Sequence, residues 1–207
     1  MTKGMSSLLF FSKSKDLSAR YLSNFTIVPC GLTIPDDFIV KELVGHVYPS
    51  VENAFQAAKY VLAGNIKVAL ELKNVPPSVS KSMGSKTGMK KNKCSLDVSA
   101  WTRISYTVMK QLVQERANQD KLFRDTIKNA VENKISLKHF ERSGGKSFWG
   151  GCFKEGVWYG NNALGNIMEN RYVKKISLKK SLSTFNSQKT LGLGMFFCSC
   201  IYLLLAQ

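Results

Sequence analysis

The sequence predicts an α+β domain, mainly helical with a small β-sheet, and three observations predict it. Apolar residues recur at helical spacing in several stretches, each opened by a residue that caps helices: Ser50, Asp97, Asp120 and Asn162. Strand-like runs are few and short, at 8–11, 26–28, 38–44 and 135–141. Aromatic residues at 11% and hydrophobic residues at 44% supply an ordinary core for a chain of 207 residues.

In chain order, 8–11 reads as a buried strand and 12–20 as a polar loop. Leu22-Ser23-Asn24-Phe25 leads into a strand that Pro29 ends, and 38–44 is β-branched and aromatic enough for another, closed by Gly45-His46. His46 is a turn residue with no partner for catalysis. Pro49 and Ser50 then start the central helix, with Val51 as its first residue. Val51, Ala54, Phe55, Ala58 and Leu62 form its apolar stripe, while Glu52, Gln56 and Lys59 share another face. A carboxylate in a first turn is stabilised as the anion by free N–H groups and the helix dipole, so Glu52 is expected to stay charged. By spacing alone the same three residues equally describe a solvated face.

A short helix over 65–72 ends at Val75-Pro76-Pro77. The stretch 78–93, rich in Ser, Gly and Lys, reads as a loop whose Lys81, Lys86, Lys90, Lys91 and Lys93 make a positive surface suited to phosphate. Asp97 caps a helix bearing Trp101, Ile104, Val108 and Leu112. Asp120 opens another, with Leu122, Phe123, Ile127, Ala130 and Val131, that reads as scaffold. Phe148-Trp149-Gly150-Gly151 suits either a wall for a flat ring or a tight turn. Asn162 caps the helix of Leu164, Ile167, Met168 and Arg171.

Thirty basic against 14 acidic residues give a net charge of +16, which favours anionic partners, phosphorylated metabolites or nucleic acid, and equally describes a Lys-rich solubilising surface. Five cysteines without CxxC spacing and two histidines argue against a disulfide framework or a zinc site. The run 8–11 is too short for a signal peptide, so a cytoplasmic setting is expected. The run 191–206 is uncharged and largely apolar but falls short of the ~20 residues of a spanning helix, so a membrane anchor is not favoured. The expected division is a domain over 1–173 and a basic linker with an apolar tail over 174–207.

Four segments carry a resemblance in the right order. PSVENAFQAAKY at 49–60 resembles the signature helix of the NADAR family, the YbiA-like N-glycosidases. LSNF at 22–25, SFWGG at 147–151 and GNNALGNIMENR at 160–171 repeat the likeness, together with a Trp opening a helix at Trp101. The resemblance spans about 8–173. It implies a hydrolase that cleaves the N-glycosidic bond of a ribosylated base, either a riboflavin-pathway ribosylaminopyrimidine phosphate or ADP-ribosyl-guanine, without metal or cofactor. Glu52 would then stabilise the sugar or hold the attacking water. Trp101 and Trp149 would stack on the base, with Phe25 and Gly150 nearby. Asn24, Gln56 and Asn162 would orient it by hydrogen bonds, and Lys59 with the loop lysines would hold phosphate. Glu141 stands where relatives carry a Glu. Two departures stand out: Asp97 and Trp101 are separated where the family has them adjacent, and Lys146 replaces an Asp three residues before the Trp-Gly pair. A catalytically inactive module that binds NAD, ADP-ribose or nucleic acid is therefore the alternative.

Overall fold

The computed structural model describes residues 6–142, 144–170 and 172. Contacts group Met1–Glu169 into one compact unit. Arg171, the basic run from Lys174 and the apolar run 191–206 lie outside the described residues. Among the described residues, no helix is long and apolar enough to cross a membrane.

The centre of the fold is α2 (Val51–Leu62), capped as its sequence predicts: Ser50 Oγ accepts from Asn53 N at 3.2 Å. Nine of its residues are buried, Glu52, Asn53 and Gln56 among them, so the solvated-face description of this helix does not hold. It is enclosed because α3 (Ile66–Glu71), α4 (Pro77–Met83) and the long α6 (Val98–Gln119) all pack on it. Burial of its polar residues is compensated locally. Asn53 Nδ2 donates to Leu72 O at 2.8 Å and Val75 O at 2.9 Å, which ties down the 3-10 turn after α3.

Strand β1 (Ser7–Phe10) pairs in parallel with β4 (Ser136–His139), with Phe10 opposite His139. Everything helical from α1 (Leu17–Tyr21) to α7 (Lys121–Glu132) is the crossover between them, as a parallel pair requires. Among the described residues the β content is three two-stranded pieces rather than one small sheet: β2 (Leu32–Thr33) with β3 (Val47–Tyr48), and the hairpin of β5 (Cys152–Lys154) and β6 (Val157–Tyr159), are separate. A further helix, α8, begins at 163 and is continuous to 170.

Several local expectations are corrected. The run 38–44 is not a strand; Phe38, Val40 and Leu43 are buried from a loop and the 3-10 turn Lys41–Leu43. Residues 26–28 are likewise outside any strand, held instead by Val28 N donating to Pro49 O at 2.9 Å. The polar loop 12–20 contains α1, which Asp16 caps. The Lys-rich loop is two short helices, α4 and α5 (Lys86–Lys91), started by Pro77 and by Ser85, whose Oγ accepts from Gly88 N. A helix of six or seven residues that buries one side chain leaves almost no periodic signal.

Arg116 locks α6 to the chain before α2. Its guanidinium is wholly buried, donates to Tyr21 O at 2.7 Å and Ser23 O at 2.8 Å, pairs with Asp120 at 3.4 Å and lies 4.0 Å from the Phe123 ring centre. Asp120 in turn caps α7 by accepting from Phe123 N at 3.0 Å. The result is a fixed Ser23-Asn24 loop, whose Asn24 carbonyl accepts from Glu52 N at 3.0 Å.

Candidate active site

A cavity of about 520 Å³ opens where α2, α4, α6, the 22–25 loop and the end of β4 converge. Its floor is Glu52 and Gln56, adjacent on one face of α2, with Gln56 Nε2 donating to Glu52 Oε1 at 2.8 Å. Its aromatic wall is built around Phe55. Trp101 meets that ring edge-on at 4.9 Å and Trp149 at 5.6 Å. Both tryptophans line the cavity, so the insertion that separates Asp97 from Trp101 leaves the indole in the wall. Asp97 caps α6, accepting from Ala100 N.

Cations surround the carboxylate. Lys59, Lys81, Lys13 and Arg142 line the cavity against the acids Glu52 and Glu141. Lys59 Nζ donates to Gly84 O at 2.7 Å and stands 5.9 Å from the Trp101 ring centre; Lys81 Nζ is 5.3 Å from that of Phe25. Burial lowers the Lys59 pKa, with Glu52 opposing that shift and Lys81 adding to it.

Glu52 is 6% exposed, and its pKa is raised, contrary to the sequence expectation. Burial is the main cause and the Glu141 charge adds to it, while the Gln56 hydrogen bond, Lys81 and Lys59 pull the other way. The first-turn N–H groups that were expected to stabilise the anion are engaged elsewhere: Glu52 N donates to Asn24 O and Asn53 N to Ser50 Oγ. The carboxylate is thus held by side chains, not by the helix terminus.

Asn24, Phe25, Gln56, Lys59, Trp101 and Trp149 all line this cavity with Glu52; Asn162 and Gly150 do not. Asn162 occupies the cap position of α8, yet its side chain does not cap. Its Nδ2 donates to Leu137 O at 2.8 Å and its Oδ1 accepts from His139 N at 2.9 Å, from a backbone at φ +51°. Asn162 thereby anchors β4, and through β4 it positions His139 and Glu141. Gly150 is a close approach: a Cβ there would meet His139 O at 2.4 Å. Lys146 is exposed in a 3-10 turn and outside the cavity lining, so the departure from the family's Asp puts no cation beside the floor.

Sequence reasoning named Lys81 only as one of five loop lysines suited to phosphate, and it left out Phe55, taken as core, and His139 at the end of β4. His139 stacks on Phe10 at 5.2 Å, with Nδ1 3.3 Å from Trp149 O and 3.6 Å from Glu141 Oε1. Burial lowers its pKa, against the opposing pull of the Glu141 charge and the Trp149 carbonyl. The resemblance marked Glu141; nothing in the local pattern marked Arg142 or Lys13. Among the described residues, no group of three or more His, Cys, Asp or Glu side chains is placed to hold a metal ion.

Fold and site together define an α+β domain whose central helix lays a buried carboxylate at the foot of an aromatic cavity ringed by cations. The NADAR domain profile matches residues 10–172, and the chain belongs to that family. The NMR structure of the E. coli protein YbiA is similar, with a TM-score of 0.58 over 85% of this chain and 88% of that one at 22% identity, a likeness of fold. No curated protein is similar enough to match.

Proposed function

We propose that this protein is a cytoplasmic hydrolase that cleaves the N-glycosidic bond of a phosphorylated ribosyl-base, a ribosylaminopyrimidine phosphate or an ADP-ribosyl-guanine. The observation that carries this reading is Glu52: a buried carboxylate, hydrogen-bonded by Gln56 and flanked by Lys59 and Lys81, on the floor of a cavity walled by two indoles.

When the C1′–N bond breaks, its electron pair leaves with the base and positive charge develops on the ribose. A net charge of +16 opposes that charge globally, so a local anion is needed beside the ring, where a preorganised group in a water-poor site acts most strongly. Glu52 is the anion best placed. The attacking water delivers its oxygen to C1′ and its proton to a carboxylate, Glu52 or Glu141, and that proton passes on to the nitrogen of the departing base, so that the OH and H of one water are added across the C1′–N bond. Trp101 and Trp149 offer ring faces to the base, each stack worth roughly 1–3 kcal/mol. Asn24 Oδ1 is buried without a protein partner, an acceptor suited to an N–H of the base. Lys13, Lys81 and Arg142 line the same cavity, and cations there suit phosphate.

The alternative is an inactive module for NAD, ADP-ribose or nucleic acid. Lys146 is the departure that supports it, and the exposure of Lys146 outside the cavity lining weighs against that support. The test is chromatographic product analysis with both substrates. Release of free base or free ADP-ribose by the wild type, abolished in Glu52→Gln, is expected; tight binding of both substrates with no turnover would overturn the hydrolase reading.

A further inference from the structure

The aromatic wall of the cavity does not stop at its mouth. From Trp101 and Phe55 the ring contacts run through Trp149 to Phe148 at 5.0 Å and from Phe148 to Tyr106 at 6.4 Å, each pair edge to face. The last two rings are surface groups, Phe148 47% exposed and Tyr106 39%. Three cations lie close to them in sequence. Arg103 and Lys110 lie three residues before and four after Tyr106, hence on the same face of α6, and Lys146 precedes Phe148 by two residues. All three are exposed, and α6 carries no acidic residue before Glu115.

We infer that Tyr106 and Phe148, with Lys146, Arg103 and Lys110, form a platform for single-stranded nucleic acid that continues the cavity outward. Exposed rings interleaved with cations match the two needs of an unpaired strand, π-faces for its bases and positive charge along its phosphates. A duplex offers neither free base faces nor access to the cavity, because its bases stack on one another. A protein partner would need an acidic surface with apolar anchors, whereas exposed rings with three cations beside them favour the nucleic acid. On this arrangement the strand lies across Tyr106 and Phe148 while one ribosylated base enters between Trp149 and Trp101. The inference rests on the hydrolase reading for what the cavity takes. It also gives Lys146 a role: the residue that departs from the family's acid contributes to the strand surface.

The experiment is fluorescence anisotropy with a labelled, unmodified single strand of about 12 nucleotides, within the range of site sizes for such surfaces. Salt-dependent binding is expected, weakened roughly 5- to 150-fold by Tyr106→Ala or Phe148→Ala, the span of base stacking on one ring. Phe148→Trp is expected to retain it, which separates a lost stack from a lost fold. Lys146→Ala is expected to flatten the dependence of log affinity on log salt by roughly 0.7. Absence of binding at low salt, binding indifferent to both ring variants, or equal affinity for the duplex would each overturn the platform. Base release from a free ribosylated mononucleotide by the wild type and Glu52→Gln involves no rim residue, so failure there counts against the hydrolase reading alone.

Discussion

Replacing Gln56 with Leu removes the side-chain hydrogen bond to the Glu52 carboxylate, Nε2 to Oε1 at 2.8 Å, by exchanging the amide for an apolar side chain close in volume. That bond favours the anion, so its loss favours the protonated acid, in a site where burial already raises the pKa. A hydrogen bond to a charged group contributes roughly 1.5–3 kcal/mol, which corresponds to a roughly 10- to 150-fold weaker ionisation of Glu52. Because the anion is the working form, the acid limb of the kcat/KM profile should move to higher pH, with little change on the alkaline plateau. The assay is base release measured from pH 5 to 9 for wild type and variant. A limb that stays where it is, or that moves to lower pH, would refute the link between Gln56 and the charge on Glu52.

The same group makes a stability prediction. A carboxyl whose folded pKa lies above its unfolded value binds protons preferentially in the folded state, so stability is lost as pH rises from the unfolded carboxylate range through the folded value. Glu52→Gln abolishes that loss, and its Tm relative to wild type should climb from pH 4 to 8; a constant difference would contradict the burial cost. Arg116→Met should destabilise by about 3–5 kcal/mol, since Asp120 is left buried without its cation, and chemical denaturation checks it. Because the guanidinium also holds Ser23 O, that variant should weaken substrate binding as well. Gly84→Ala should fold but lose affinity: Gly84 has an ordinary negative φ, and an added Cβ would stand 1.9 Å from Gln56 Oε1 and 2.6 Å from its Cδ, forcing the amide off Glu52. Calorimetric titration with a substrate analogue tests that. Asn162→Ala should cost about 2 kcal/mol through the two β4 backbone groups it leaves unpaired, with a lower Tm and a substrate Kd that a direct ligand contact would have raised far more.

The helices were legible where a cap and a long stripe agree. Ser50 with the α2 stripe and Asp97 and Asp120 with theirs mark α2, α6 and α7, and each cap bond is present. The short elements were not. Two-residue β2 and β3 carry no period, and the alternation of the 38–44 run reflects loop side chains reaching a shared core. The hairpin of β5 and β6 has strands of three residues each, too short for a period to show. In the site, the face shared by Glu52, Gln56 and Lys59 followed from helix geometry; that this face is buried did not, because burial depends on α4, which local sequence hides. What stabilises the Glu52 anion was misjudged for a related reason: Glu52 N is taken by Asn24 O, from the 22–25 loop, a contact that no local pattern shows. Asn162 shows the converse: a good cap residue by type, diverted to β4 by a tertiary contact.

The most direct measurement is single-turnover cleavage of a phosphorylated ribosyl-base by the wild type and Glu52→Gln, with ligand affinity determined in parallel. Loss of a preorganised group that stabilises transition-state charge costs roughly 10²- to 10³-fold in rate. A fall of that size with Kd nearly unchanged is the predicted result. Equal rates in the two proteins, or a loss confined to Kd, would contradict Glu52 as the group that stabilises the breaking glycosidic bond.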